Sequence, residues 1–254
     1  MIEVVGESHV GLVRTNNEDN WYAANIETDV ALLMVADGVG GHAYGEVASQ
    51  ICADLYRSLH ESGKLAPAEN PNMREMLLTM AGHKAHVDVS KMAVEQPEKS
   101  GMSCTLTAAV CDKTSITLYQ VGDSRLYRWS KGALTQLSKD QTIAQGLVDD
   151  GKITQEQLMS HPDRSTLQQS IGLEAIDEPL EPVLTEHEWA TGDLLIACSD
   201  GLSDMATDDE IQAVLTNQKT GGGLVQALTQ LAIDRGGRDN VTVVVARNND
   251  QLPE

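Results

Sequence analysis

Short apolar and β-branched runs recur along the chain, each closed by Gly, Asp, Asn or Ser. They predict strands at Ile2–Gly6, Trp21–Ile26, Ala31–Ala36, Cys104–Cys111, Ser115–Val121, Arg125–Trp129, Asp193–Cys198 and Val241–Arg247. Several are apolar on both faces, as expected of strands covered on both sides. Two stretches change to helical spacing. Val47, Ala48, Ile51, Leu55 and Leu59 give one face to a helix over Tyr44–His60. Met73, Met76, Leu77, Met80, Val87 and Val94 mark a second over Met73–Val94, and this Met stripe is expected to be core. The segment 61–72, with Pro and Gly, is a loop. Shorter helices are predicted at 141–149, 154–159, 208–215 and 224–234. Thr207 or Asp208 caps the third, and Gly221-Gly222-Gly223 separates it from the fourth. Grouped strands broken by a helical block predict an α+β fold, sheet on sheet with helices outside.

Length and composition narrow the class. With 254 residues and 41% hydrophobic, the chain can bury a sizeable core, and no repeat, low-complexity segment or linker divides it. We expect a single domain over 1–254, with a flap-like insertion around 140–172, the least strand-like stretch. A net charge of −20 argues against nucleic acid as a partner. Cys52, Cys104, Cys111 and Cys198 have no CxxC spacing and are expected to be reduced and structural. The N-terminus lacks signal-peptide character, and no apolar run approaches the roughly 18 residues of a membrane span, so a cytoplasmic protein that makes no membrane contact is expected.

The chemistry lies in the acids that end the apolar runs. Asp37 follows Val30–Ala36, Asp200 follows Leu194–Ser199, and Asp239 precedes Val241–Val245. Carboxylates repel, so gathering several at strand ends points to a cation that neutralises them. Taken singly each signal is weak. Asp-Gly is a turn dipeptide, Gly122-Asp123-Ser124-Arg125 suits a hairpin turn, and Arg14-Thr15-Asn16-Asn17-Glu18-Asp19 could be a solvated turn. Asp37-Gly38-Val39-Gly40-Gly41-His42 is richer, because Gly lets the backbone approach a ligand and a helix follows.

Taken in order, Arg14-x-x-x-Glu18-Asp19, Asp37-Gly38-x-Gly40-Gly41, Gly122-Asp123-Ser124-Arg125, Ser199-Asp200-Gly201 and Gly237-Arg238-Asp239-Asn240 resemble the metal-dependent serine/threonine protein phosphatases of the protein phosphatase 2C family, bacterial branch. The likeness runs from Gly6 to Arg247 and includes flap-like residues 165–172. It implies a central antiparallel β-sandwich flanked by helices on both sides, a four-layer αββα. It also implies two core Mg²⁺ or Mn²⁺ ions, with a third, weaker one. By the resemblance, Asp37 bridges both ions and the Gly38 carbonyl binds the second. Asp200 and Asp239 bind the first, Glu18 lies at the second, and Asp123 with Asp200 serves the third. Arg14 matches the phosphate-binding arginine, Asp19 a neighbour of metal-held water, and Asn240 a supporting residue. The activity implied is hydrolysis of phosphoserine and phosphothreonine in proteins by a binuclear Mg/Mn-activated water, reversing a serine/threonine kinase. The partners implied are phosphorylated proteins and such a kinase, and a monomer is expected.

Two positions depart from the family pattern. Val39 stands where some members carry a proton-donating His, which leaves His42, His161 or metal-held water as the general acid. Ser103 stands where Gly is usual. Two other functions compete: a non-catalytic phosphoprotein-binding regulator on the same fold, and another binuclear-metal phosphoesterase. Loss of metal carboxylates would mark the former, but Glu18, Asp37, Asp200 and Asp239 are all present. His ligands would mark many of the latter, and none of the seven His falls in the acid motifs.

Overall fold

In the computed structural model, which describes residues 1–39, 44–65, 71–172, 180–217 and 221–249, the apolar runs pair into two antiparallel sheets of five strands each. One sheet has the order β1 (Ile2–His9), β10 (Val241–Asn248), β9 (Leu194–Cys198), β6 (Arg125–Ser130), β7 (Ala133–Gln136). The other has the order β2 (Asp19–Glu27), β3 (Val30–Asp37), β4 (Leu106–Cys111), β5 (Ser115–Val121), β8 (Val183–Glu188).

Strand alternation explains why the central strands are apolar throughout. Leu33 and Val35 of β3 meet Leu195, Ala197, Val244 and Ala246 between the sheets. Leu32 and Met34 point the other way, into a layer built with α1 (Gly45–Glu61) and α2 (Pro71–Glu95). On the far side Ile196, Cys198, Val243 and Val245 pack beneath α6 (Asp208–Asn217) and α7 (Gly221–Asp234). The result is the expected αββα layering.

Apart from Leu77, which is buried, the Met stripe is not core. Met73, Met76, Met80 and Val94 are 41%, 47%, 61% and 77% exposed. Leu78, Gly82, Ala85 and Val89 are the buried face instead. The reason is contact distance. A Cβ on Gly82 would come within 2.4 Å of the Tyr119 hydroxyl, so the helix settles on its small residues, flat against β5. Gly221–Gly223 are likewise not a spacer but the first turn of α7. Strands β7 and β8 had no apolar signal because they are half-exposed edges. The segment 140–172 carries α3 (Ile143–Asp149) and α4 (Gln155–Leu158), each N-capped by a threonine, Thr142 and Thr154. Thr207 caps α6, its Oγ1 accepting the Glu210 N–H at 3.3 Å.

All four cysteines are free and buried. Among the described residues no helix is long and apolar enough to cross a membrane.

Candidate metal centre

At one end of the sandwich the chain passes between sheets three times, once through the long β7–β8 link that carries 140–172. The link from β1 to β2 carries Arg14 and Glu18, and the link from β5 to β6 carries Asp123. The Gly122–Arg125 segment is therefore a crossing between sheets rather than a hairpin turn. Strands β3 and β9 end there too, delivering Asp37 and Asp200, and β10 begins there just after Asp239. A short helix, α5 (Asp200–Ser203), starts at Asp200 itself, an element too brief to show in the sequence pattern.

These elements bring Arg14, Asp37, Gly38, Asp123, Asp200 and Asp239 onto the wall of one cavity of about 420 Å³, with Val39, Thr105, Ser165–Leu167 and Ser170 completing it. A second cavity of about 470 Å³ shares Asp123, Ser165 and Asp200 and runs on beneath 155–165. Glu18 and Asp19 do not line the first cavity. Glu18 lies beside Gly38, where a side chain would come within 2.8 Å of the Glu18 Cβ and 2.5 Å of the Gly45 backbone. Only Gly fits so close an approach. Asp19 stands behind Asp37, its direct partner across the β2–β3 ladder, and is buried.

Like charges opposite one another are unfavourable unless something compensates. Burial, and then Asp19, Asp200 and Asp123, hold the Asp37 carboxyl well above the usual carboxylate range. Burial pushes Asp200 up to about 7, with Asp204 and Asp239 adding to it. Burial pushes Asp19 up to about 6 against the hydrogen bonds that favour its ionised form. Asp123 is raised for the same first reason, with Asp200 next, and Glu18 is raised by burial and Glu46. The chain thus concentrates acids that resist ionisation on their own. A divalent cation reverses that balance.

The donor set fits a hard ion. The groups are carboxylates and the Gly38 carbonyl, and no histidine or cysteine among the described residues lines the cavity. Asp19 Oδ1 is buried without a hydrogen-bond partner. Among the described residues no three His, Cys, Asp or Glu side chains close into a ready-made cage. Ions that prefer oxygen commonly complete their shells with carbonyls and water, which the Gly38 carbonyl and an open cavity provide.

The supports are polar and specific. Asp37 N–H donates to Thr105 Oγ1 at 3.0 Å and the Asp37 carbonyl accepts Thr105 N–H at 2.8 Å. Thr105 Oγ1 in turn lies 2.6 Å from Ser124 Oγ. Asn240 Nδ2 donates to the carbonyls of Val10 and Asn16, both at 2.9 Å, and Asn240 Oδ1 accepts Glu18 N–H at 2.8 Å. Arg14 Nη2 donates to Asp239 Oδ2 at 2.8 Å. Sequence reasoning missed Thr105 and, although Ser199 stood in the Ser199-Asp200-Gly201 motif, assigned it no role. His161 lines neither cavity; its Nδ1 accepts the Asp163 N–H at 3.2 Å. His42, Gly40 and Gly41 lie outside the described residues. Ser103 is fully buried, with Oγ lacking a partner.

Residues 5–231 match the family described as Protein phosphatase 2C. The chain belongs to that family. It is 38% identical, over 97% of its length, to the serine/threonine protein phosphatase PstP of Mycobacterium tuberculosis, of which it spans 45%. It is 30% identical to the serine/threonine phosphatase stp of Listeria welshimeri, covering 94% of this chain and 93% of that one. Its fold superimposes with a TM-score of 0.84, at 36% identity, on the catalytic domain of PstP in complex with 2 manganese ions, covering 98% and 99% of the two chains.

Proposed function

We propose that this chain is a protein-serine/threonine phosphatase that uses Mg²⁺ or Mn²⁺. The observation that carries this is the single cavity walled by Asp37, Asp123, Asp200, Asp239 and Arg14 in a member of the protein phosphatase 2C family. The manganese-bound PstP catalytic domain, so similar in fold, supports it.

In this reading Asp37, Asp200, Asp239 and the Gly38 carbonyl would hold the two core ions, with Glu18 contributing from its place beside the cavity. Asp123 and Asp200 flank a third, weaker position. Bound ions of this kind supply charge neutralisation and an acidified water as nucleophile. The rest falls to the protein. Arg14, tied by one nitrogen to Asp239, keeps the remaining arms of its guanidinium for phosphoryl oxygens. Ser165–Leu167 and Ser170 close the cavity on the flap side and limit water around the phosphoryl group. Val39 has no acidic proton to give, so protonation of the departing serine or threonine alkoxide falls to water in the cavity or to His42.

The substrates are phosphorylated proteins, and the partner in signalling is the serine/threonine kinase that made them. The chain works as one domain and as a monomer. Its four free cysteines suit a reducing compartment, hence the cytoplasm.

A phosphothreonine peptide, a nucleotide and a phosphodiester, each offered with Mn²⁺ and with Mn²⁺ plus chelator, test this. Selective, chelator-sensitive hydrolysis of the peptide is expected. Equal activity with chelator removes the metal role. Preference for nucleotide or diester points to a different phosphoesterase, and binding without turnover to a regulator.

A further inference from the structure

Leu12 and Val13 sit immediately before Arg14, and both stand in solvent, 64% and 65% exposed. A loose loop could fold such side chains away. This one is fixed. Gly11 adopts φ +82, and a side chain there would strike the Asp239 carbonyl at 2.2 Å. Leu12 N–H donates to the Gly237 carbonyl at 2.7 Å. Asn240 closes the loop at both ends, on Val10 and Asn16. Arg14 itself is tied to Asp239. The segment from Val10 to Glu18 is therefore stapled to the turn that delivers Asp239, and the exposure is built into the fold.

Two apolar side chains held rigidly in water favour any partner that covers them, and a rigid lip forfeits little conformational entropy on binding. Their position identifies the partner. A side chain on Gly237 would lie 3.1 Å from Leu12 Cγ, so Leu12 rests over the very turn that leads into Asp239 on the cavity wall. Leu12 and Val13 line neither cavity, but Val13 directly precedes Arg14, which does, so the apolar surface adjoins the phosphate-binding side of the site.

We propose that Leu12 and Val13 form an apolar lip that receives a non-polar side chain of the phosphorylated polypeptide close in sequence to the phosphorylated residue. The proposal rests on the phosphatase reading and on Arg14 as the phosphate clamp. It makes this chain selective for phosphorylation sites with Leu, Ile, Val or Met beside them.

The test compares the full chain with its L12S/V13S variant in Mn²⁺. Three substrates are used: a phosphothreonine peptide flanked by Leu, the same peptide flanked by Ser, and p-nitrophenyl phosphate. The wild type should prefer the Leu-flanked peptide. The variant should raise KM for that peptide by about tenfold, the scale of two partly buried side chains. Its constants for the Ser-flanked peptide and for p-nitrophenyl phosphate should stay within about twofold on the same scale. A second variant, L12M/V13I, should retain the preference. Equal KM changes on both peptides overturn the proposal, as does a parallel loss on p-nitrophenyl phosphate, which would mean a disturbed Arg14 loop. A concentration-dependent dimer abolished by L12S/V13S also overturns it, by assigning the lip to a second copy. A wild type inert towards all three substrates removes the phosphatase reading and the lip with it.

Discussion

Ser199 Oγ donates to Asp19 Oδ2 at 2.7 Å and joins the two sheets at the end that carries the acids. Ser199 follows β9 in one sheet, and Asp19 opens β2 in the other. The same Oγ accepts the Thr242 N–H at 3.0 Å, so one hydroxyl links three segments. In S199A, Asp19 loses this donor while its other oxygen already has none. Orphaning buried polar groups costs about 1–3 kcal/mol. The variant should melt several degrees lower in chelator, and should need more Mn²⁺ for half-maximal stabilisation because Asp19 no longer steadies its neighbour Asp37. An unchanged melting curve would show that the bridge is idle.

Asp37→Asn separates stability from chemistry. Asp37 lies among Asp19, Asp123 and Asp200, each of which raises its pKa. Asn is neutral at every pH, so it removes the repulsion, or the proton uptake, that the buried Asp37 carboxyl requires without metal. The melting temperature in chelator should hold or rise, while turnover of a phosphothreonine peptide falls by about 10²-fold or more, the scale of a lost charge-stabilising group. Near-wild-type turnover would remove Asp37 from the site.

The acids also set a pH dependence. Asp19 and Asp200 are ordinary carboxyls near 3.8 when unfolded and are pushed up to about 6 and about 7 when folded. Between those limits the folded chain holds protons that the unfolded chain has released. Their contribution is fully present below 3.8 and is lost as pH rises through about 6 and 7. In chelator the melting temperature should drop from pH 5.5 to pH 8 by roughly 5 °C. Stabilisation by Mn²⁺ should grow over the same interval, because the ion binds the ionised groups. A chelated melting temperature that rises across this interval would contradict the assignment.

Arg164 reaches Asp204 through two hydrogen bonds, 2.8 and 2.9 Å, and pins 155–165 to the end of α5. The pair is partly exposed, so its worth to global stability is about 1 kcal/mol or less. Arg164→Ala should leave the melting temperature within a degree or two. Limited proteolysis should nonetheless cut between Asp150 and Ser165 several-fold faster. Cleavage at the wild-type rate would mean that other contacts hold the segment.

The layers and the strand-end acids were legible because both follow from local pattern. An apolar run closed by Asp reads the same in the sequence and in the fold, as Val30–Asp37 and Leu194–Asp200 show. What pattern could not decide was which of two apolar stripes on α2 meets the sheet. That choice belongs to Gly82 and Tyr119, a contact between residues on separate elements. Thr105 and Ser199 were hidden for a similar reason. Thr105 is one of three alternating hydroxyls with Ser103 and Thr107, Ser199 one member of a quoted motif, and the role of each appears only when Asp37 or Asp19 is brought beside it. Asp123 looked like a hairpin turn because sequence does not say that β5 and β6 lie in different sheets.

The hydrogen bonds of Asn240 to Val10, Asn16 and Glu18 span 222 to 230 residues of sequence. The loop that carries Glu18, the first of the site's acids to be synthesised, must therefore wait for Asn240. A nascent chain halted before Gly237 has Arg14 and Glu18 but lacks the Gly237 and Asn240 contacts that staple their loop, and β1 lacks its neighbour β10. Contacts so distant in sequence form late. On the ribosome the acid-bearing end of the sandwich thus stays open until Asp239 and Asn240 have emerged, and the order of synthesis makes the metal centre the last part of this fold to close.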